Sequence, residues 1–159
     1  MAIARHFPAA RWLMQAALVL ALAPPALADD AELKQAEAAA RAVMDAFLEA
    51  FNDRDEAAWA DTLQYPHVRI AGGDVLVYPD RAAFIEAMDL SRFAEETGWD
   101  YSTWDDMQIV QVSSQKVHIA VTFTRYDEQG NRMSSFESFY VVERVGGRWG
   151  VRARSSFAP

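Results

Sequence analysis

The sequence predicts a single α+β domain in which N-terminal helices pack against a strongly curved antiparallel sheet. Apolar residues recur at helical spacing between residues 30 and 90, interrupted by one short hairpin pattern. After residue 99 they alternate with a period of two, and short turn-forming segments separate the alternating stretches. Helices collected on one face of such a meander make an α+β fold, and long strands that wrap helices need curvature.

Three helices are predicted, over residues 30–52, 55–64 and 79–90. The carboxylate of Asp29 or Asp30 is suited to cap the first, because it accepts hydrogen bonds from free backbone N–H groups. Pro66 should end the second, since proline disfavours helical geometry in the residue before it. The third begins at a proline, which suits a first helical turn. Residues 91–98 are expected to be a polar connection.

The remaining segments are predicted to be strands, over residues 67–71, 74–78, 99–112, 116–126, 132–144 and 148–157. Gly72-Gly73 reads as the turn of the first hairpin. That turn places two sets of side chains on opposite faces, Val68, Ile70, Val75 and Val77 against His67, Arg69, Leu76 and Tyr78. The predicted order is therefore α-α-β-β-α-β-β-β-β.

The first 28 residues have the pattern of a cleavable secretory signal. Two arginines precede an apolar stretch over residues 12–23, and a small-x-small site ends at Ala28. The stretch is shorter than the about 20 residues that a membrane span needs; an uncleaved anchor is the alternative. We expect cleavage after Ala28, a single domain over residues 29–159, and a periplasmic address, with full secretion as the alternative.

The composition excludes several classes of protein. Removing Arg5 and Arg11 with the signal takes the formal net charge from −8 to −10. An acidic chain lacks the clustered basic residues of a nucleic-acid-binding surface, and anionic membranes should repel it after cleavage. The absence of cysteine removes disulfides, thiolate nucleophiles and Cys-ligated metals. With 52% hydrophobic residues, the chain has enough apolar material for a core.

Two segments carry a resemblance to a known family. Ala46-Phe47-Leu48-Glu49-Ala50-Phe51-Asn52-Asp53-Arg54-Asp55, followed by Trp59, and Gly147-Arg148-Trp149-Gly150-Val151 with Ser155-Ser156, resemble the nuclear transport factor 2-like superfamily. That superfamily includes ketosteroid isomerase and SnoaL-like cyclases, and the segment 126–149 is similar to the association domain of calcium/calmodulin-dependent kinase. The resemblance implies a cone with a cavity in its mouth, and homodimerisation through the outer sheet face. It does not fix a function, because the fold hosts unrelated activities.

The catalytic pattern of ketosteroid isomerase is missing. No acid occurs in residues 67–71, where a carboxylate base would stand, and Phe47 and Phe51 occupy positions where that enzyme would need a tyrosine. His67 is the remaining candidate acid or base near neutral pH. Its alternative role is structural, with the ring bonded to the backbone or to a nearby acid. Neither a metal site nor a cofactor is expected, since no ligand pair at helical spacing and no phosphate-cradling loop is present.

Arginines on the last strands suggest an anion site. Arg152 and Arg154 should share a face, opposite Val141 and Phe139 if the last hairpin is regular, and Arg125 should join them. A planar guanidinium binds two oxygens of a carboxylate or phosphate at once. The alternative is pairing with Glu137 or Glu143 on the neighbouring strand.

The other face of the same strands offers a second candidate cluster of polar and aromatic residues, His118, Thr122, Phe136, Ser138, Tyr140, Ser155 and Phe157. A single bulge would exchange the two faces over part of a strand. The full set of candidate ligand-binding residues is His67, Arg69, Tyr78, His118, Arg125, Tyr140, Arg152 and Arg154.

Three hypotheses for function follow. The first is an exported protein that binds a small, partly apolar, anionic molecule in the mouth of the cone. The second is a small cofactor-free isomerase, dehydratase or hydrolase that uses His67. The third is a non-catalytic oligomerisation module whose cavity is filled.

Overall fold

The chain forms four helices and six strands over residues 29–159, the part that the computed structural model describes. The predicted signal, residues 1–28, lies outside the described residues. The elements in chain order are α1 (Asp30–Asn52), α2 (Glu56–Asp61), β1 (Leu63–Ala71), β2 (Asp74–Tyr78), α3 (Arg81–Glu86), α4 (Leu90–Thr97), β3 (Tyr101–Val112), β4 (Lys116–Tyr126), β5 (Arg132–Val145) and β6 (Arg148–Ser156).

The six strands form one curved, open sheet in the order β2-β1-β6-β5-β4-β3. The α+β prediction is confirmed, but the sheet is mixed rather than antiparallel, because β1 and β6 pair in parallel. Alternation within a strand shows which residues share a face and does not show which strand becomes its neighbour. Register shifts in β1–β6, β3–β4, β4–β5 and β5–β6 provide the bending that long strands need around helices.

The segment predicted as a polar connection is helix α4, so the domain has four helices instead of three. Asp89 caps it by accepting from the Arg92 backbone N–H at 2.8 Å, and Gly98 ends it with φ +73°. Phe93 packs on the rings of Phe51 and Trp99, at centroid distances of 6.3 and 5.5 Å. One aromatic anchor and two caps are therefore enough to order a mostly polar helix.

The second predicted helix is shorter than expected, because β1 starts at Leu63 inside it. Leu63 aligns with Val151 of β6, and the Val151 backbone N–H donates to the Thr62 carbonyl at 2.9 Å. The Arg148 guanidinium donates to the carbonyls of Asp61 and Leu63, at 2.9 and 2.6 Å. Pairing with the last strand thus overrides the local helical pattern, and Pro66 lies within the strand.

The register of the first hairpin is the predicted one. His67 pairs with Tyr78 and Arg69 with Leu76, around the turn at Gly72-Gly73. The face that carries Val75 and Val77 points outward, leaving these side chains 65% and 58% exposed. The predicted homodimer through the outer sheet face stays a prediction.

Helix α1 supplies the main contact with the inner face of the sheet. Its buried stripe of Ala36, Ala40, Met44 and Phe47 belongs to one apolar core with Ile119, Val142 and Val151 from β4, β5 and β6. Among residues 29–159, no helix combines the length and apolar content that crossing a bilayer requires.

Candidate functional site

A cavity of about 380 Å³ opens between α1, α4 and the inner face of the sheet. Its walls are mostly aromatic and apolar, with Phe47, Phe51, Trp59 and Phe93 among the lining residues. A volume of this size suits a drug-sized molecule, and a few polar groups in an apolar wall are typical of ligand sites. The cation-bearing side chains in this lining are Arg69, Arg125 and Arg154.

Arg154 extends from β6 over two aromatic rings. Its guanidinium carbon lies 5.1 Å from the ring centre of Trp59 and 5.4 Å from that of Phe47. Its Nε is buried, and no hydrogen-bond partner for it exists in residues 29–159. Arg154 aligns with Tyr140 of β5, not with Phe139 as predicted, because a register shift between Val141 and Val142 adds a residue to β6.

Arg125 approaches the cavity from β4. Its guanidinium carbon lies 5.0 Å from the Phe93 ring centre and 5.2 Å from that of Phe136. Its Nε is also buried, again without a hydrogen-bond partner in the described part of the chain. Arg125 and Arg154, which the sequence analysis grouped together, thus line the same cavity.

Arg69 is directly opposite Arg154 in the parallel β1–β6 pair. It lies at the cavity wall and donates through Nη2 to the Pro159 carbonyl at 3.4 Å. Like charges directly opposite each other on neighbouring strands are destabilising. Two facing arginines inside an aromatic wall are therefore an arrangement that a bound anion would relieve.

Burial and neighbouring arginines dominate the electrostatics of Arg125 and Arg154. Burial lowers the pKa of Arg154; the neighbouring Tyr140 opposes this shift, and the charge of Arg69 adds to it. Burial likewise lowers the pKa of Arg125, followed by the charges of Arg154 and Arg69. Within residues 29–159, no ion pair joins any of the three to a carboxylate.

Two other polar groups in the cavity wall have defined roles. Burial raises the pKa of Tyr140, so this phenol stays neutral and can donate a hydrogen bond. The Asp89 carboxylate, although in the wall, accepts from the first turn of α4 instead of pairing with an arginine. The cavity therefore offers donors and positive charge to an incoming anion.

Arg152 lies in different surroundings from Arg154, so the predicted common face is wrong. It is the added residue of the β6 bulge, and its Nε donates to Glu143 at 2.9 Å. It also donates to the Tyr65 carbonyl. Hydrogen bonding from Arg152, and then from Lys116, lowers the pKa of Glu143. The alternative interpretation, that these arginines pair with Glu137 or Glu143, therefore holds for Arg152, which lies outside the cavity lining.

His67 is fully buried beside the cavity and is not among its lining residues. Nδ1 is 3.0 Å from the Val151 carbonyl and must donate to it, which leaves the lone pair of Nε2 buried without a partner. Burial, followed by the charge of Arg154, lowers the His67 pKa to about 4. The ring is therefore neutral at neutral pH. It stacks at 6.2 Å on Tyr78, which does line the cavity.

The second predicted cluster is divided by the sheet. Nδ1 of His118 is 2.8 Å from Gln111 Oε1, and its ring packs on Phe139. Thr122, Ser138, Ser155 and Phe157 line a separate depression of about 400 Å³, whereas Tyr140 belongs to the arginine cavity. No group of three His, Asp or Glu side chains arranged to hold a metal occurs among residues 29–159.

Sequence reasoning missed Phe93, Ser102 and Ser156 as cavity residues. Phe93 was hidden in the segment expected to be a connection, although Asp89 and Gly98 were available as signals for a helix there. The two serines carry no sequence signal, because their position depends on how the strands curve.

Three solved structures share this fold at low sequence identity. An NTF2-like protein with a cystatin-like fold from Novosphingobium aromaticivorans superposes with a TM-score of 0.66 and 11% identity, covering 80% of this chain and 84% of that one. A Catenulispora acidiphila protein in complex with S-DNPA gives 0.62 and 16%, covering 78% and 93%. A ketosteroid isomerase-like protein from Erwinia carotovora atroseptica SCRI1043 gives 0.56 and 17%, covering 82% and 100%.

The family itself is shown by sequence. No curated protein sequence matches the chain significantly. Residues 35–156, however, match the sequence profile described as NTF2-like protein, DUF6841. The matched residues begin within α1 and end with β6. The resemblance to the nuclear transport factor 2-like superfamily is confirmed. The chain belongs to the NTF2-like family DUF6841.

Proposed function

We propose that the protein binds a small anionic molecule with an apolar, preferably aromatic, body in the cavity between α1, α4 and the sheet. One observation carries the proposal. Arg69, Arg125 and Arg154 line one aromatic-walled space, and no Asp or Glu side chain among residues 29–159 forms an ion pair with any of them. Buried charges are normally paired, so unpaired ones in a cleft point to a function.

The overall charge of the protein strengthens this interpretation. The chain has 23 acidic and 15 basic residues, so an arginine without an acid nearby runs against the average surroundings. Of the other arginines in residues 29–159, Arg54, Arg81, Arg92 and Arg152 form ion pairs, whereas Arg41, Arg132, Arg144 and Arg148 form none and lie outside the cavity lining. The aromatic walls add a surface on which a flat apolar ligand would stack.

Binding is favoured over catalysis by the position of His67. The ring is outside the cavity lining, and Nδ1 is committed to the Val151 carbonyl. A general base must come within hydrogen-bond reach of the proton it removes. The Catenulispora acidiphila protein, whose structure is a complex with S-DNPA, supports the use of this fold for holding a ligand.

Calorimetric titration with matched ligands tests the proposal. We expect naphthoate to bind about tenfold to a hundredfold more tightly than neutral naphthamide, because charge-assisted hydrogen bonds from arginine contribute roughly 1.5–3 kcal/mol. Benzoate should bind more weakly than naphthoate, since it covers less of the aromatic wall. Equal affinities for the acid and the amide would contradict the anion site.

We further propose that the domain acts outside the cytoplasm. The support is the signal pattern that ends at Ala28. Expressed with its own N-terminus in a Gram-negative host, the protein should appear in the periplasmic fraction with Asp29 as its first residue, as read by intact-mass spectrometry. The Ala28→Arg variant should keep its leader, because a large charged residue spoils the small-x-small site. A wild-type protein of full-length mass in the cytosolic fraction would overturn the proposal.

A further inference from the structure

We infer that the anionic group of the ligand is a phosphoryl dianion, so that the protein's ligands are phosphate monoesters of apolar or aromatic alcohols. This inference rests on the proposed function and narrows the class of ligand. Its basis is the number and arrangement of the cavity arginines, which exceed what a carboxylate needs.

The number of oxygens distinguishes the two groups. A carboxylate presents two oxygens in one plane, and a single guanidinium fork can engage both of them. Three guanidinium groups from three strands, β1, β4 and β6, surround this cavity. A phosphoryl group presents three terminal oxygens in a pyramid, and each can accept from a different direction. Three separate forks therefore match a phosphoryl group better than a carboxylate.

The charge balance points the same way. Arg69 and Arg154 face each other across β1 and β6, and burial, followed by the charges of Arg154 and Arg69, lowers the pKa of Arg125. The charged side chains of the lining are three arginines and one carboxylate, Asp89, which sum to +2; a dianion balances that charge and a monoanion balances half of it. Tyr140, whose neutral phenol lies in the same wall, is a further donor for an acceptor-rich group.

A series of naphthalene ligands separates oxygen number from charge. Naphthoate has two oxygens and one negative charge, naphthalenesulfonate three oxygens and one charge, and naphthyl phosphate three oxygens and two charges. We expect naphthyl phosphate to bind about tenfold or more tightly than the sulfonate at about pH 7.5, measured by calorimetry on the mature protein. Equal affinity of phosphate and sulfonate would overturn the dianion and leave the anion site standing.

The pH dependence gives a second readout. The second pKa of a phosphate ester is about 6, so its affinity should fall about fivefold to tenfold between pH 7.5 and pH 5, the larger value applying if the monoanion does not bind. The sulfonate keeps one negative charge over that range, so any change of its affinity with pH comes from the protein. The titratable or charged protein groups that face the ligand are Arg69, Tyr78, Asp89, Arg125, Tyr140 and Arg154. His67, behind Tyr78, is neutral there, because burial lowers its pKa to about 4. A phosphate affinity that follows the sulfonate at every pH would also overturn the inference.

Arg69→Gln tests the geometry with little risk to folding, because this side chain is partly exposed at the cavity mouth. We expect this variant to bind naphthyl phosphate about tenfold more weakly and naphthalenesulfonate less than tenfold more weakly. The preference for phosphate over sulfonate should therefore become smaller. Arg144→Gln removes the same charge at an exposed position outside the cavity lining, and should leave both affinities unchanged. If Arg69→Gln weakens the binding of phosphate and sulfonate by the same factor, Arg69 does not interact with the second negative charge of the phosphate. No measurable binding of any of the three anions to the wild type would refute the proposed function as well.

Discussion

Replacing Arg154 by Met is expected to raise the stability of the ligand-free protein and to weaken its binding of aromatic anions about a hundredfold. The two effects have opposite signs because the same unpaired charge causes both. Burial lowers the pKa of Arg154, and its Nε has no partner in the described chain. A well-packed methionine removes the cost of holding a charge in an aromatic wall, and keeps most of the apolar contact of the arginine stem.

The magnitudes decide the sign of the stability change. The substitution loses cation–π contacts with Trp59 and Phe47, worth roughly 1 kcal/mol together. Arg154 is half-buried and only its Nε lacks both solvent and a partner, so its removal relieves a discounted desolvation penalty of roughly 2–4 kcal/mol, and the repulsion from Arg69 opposite disappears with it. We expect a net gain of about 1–3 kcal/mol in urea unfolding. Binding of naphthoate should fall about a hundredfold, since the buried guanidinium is the strongest donor in the cavity.

Arg152→Met is the matched control, two residues away on the same strand. Arg152 donates to Glu143 at 2.9 Å, and its loss leaves a half-buried carboxylate without its main partner. We expect this variant to lose about 1–2 kcal/mol of stability and to keep the affinity for naphthoate. If Arg154→Met is less stable than the wild type and binds normally, Arg154 is a structural residue and the proposed site is wrong.

Local patterns in the sequence were sufficient for most of the fold. The apolar stripe predicted α1 over its full length, and the alternation of residues 116–126 predicted β4 with its correct bounds. The parallel β1–β6 pair was not predictable, because it joins strands far apart in the chain and depends on global packing. Helix α4 was missed because the segment is short and mostly polar, although Leu90, Phe93 and Ala94 follow helical spacing and Phe93 packs against Phe51 and Trp99.

The candidate site was partly predictable for the same reason. Five of the eight candidate residues, Arg69, Tyr78, Arg125, Tyr140 and Arg154, line the cavity. Residue type selected them, whereas alternation had put Tyr140 on the face opposite to Arg125 and Arg154, and the register shift in β6 brings Tyr140 opposite Arg154. Arg152 differs because the bulge at Val141 and Val142 separates it from Arg154, and a bulge follows from curvature and not from local sequence. His118 contacts Gln111 on the neighbouring strand β3 instead of entering the cavity. Alternation within β4 does not show which residue of another strand lies beside His118.

His67 should make the protein lose stability as the pH falls below about 6.5. Burial lowers its folded-state pKa to about 4, while the unfolded chain has the ordinary value of 6.5. The unfolded state therefore binds a proton more readily than the folded state. The contribution is fully present above pH 6.5 and is lost as the pH falls towards 4. By pH 4 the loss amounts to about 3 kcal/mol, of which roughly 1.3 kcal/mol is already lost at pH 5.5.

Comparing His67→Gln with the wild type isolates this contribution from that of the acidic residues. Glutamine does not titrate, and its side-chain amide can donate to the Val151 carbonyl as Nδ1 does in the wild type. The difference in unfolding free energy between wild type and variant should shrink by roughly 1.3 kcal/mol between pH 7.5 and pH 5.5. A difference independent of pH would mean that the buried ring does not titrate in this range.

The same variant tests whether His67 is a structural residue or contacts the ligand. Naphthoate affinity should change little if the ring only supports Tyr78 from behind, and should be lost if the ring contacts the ligand.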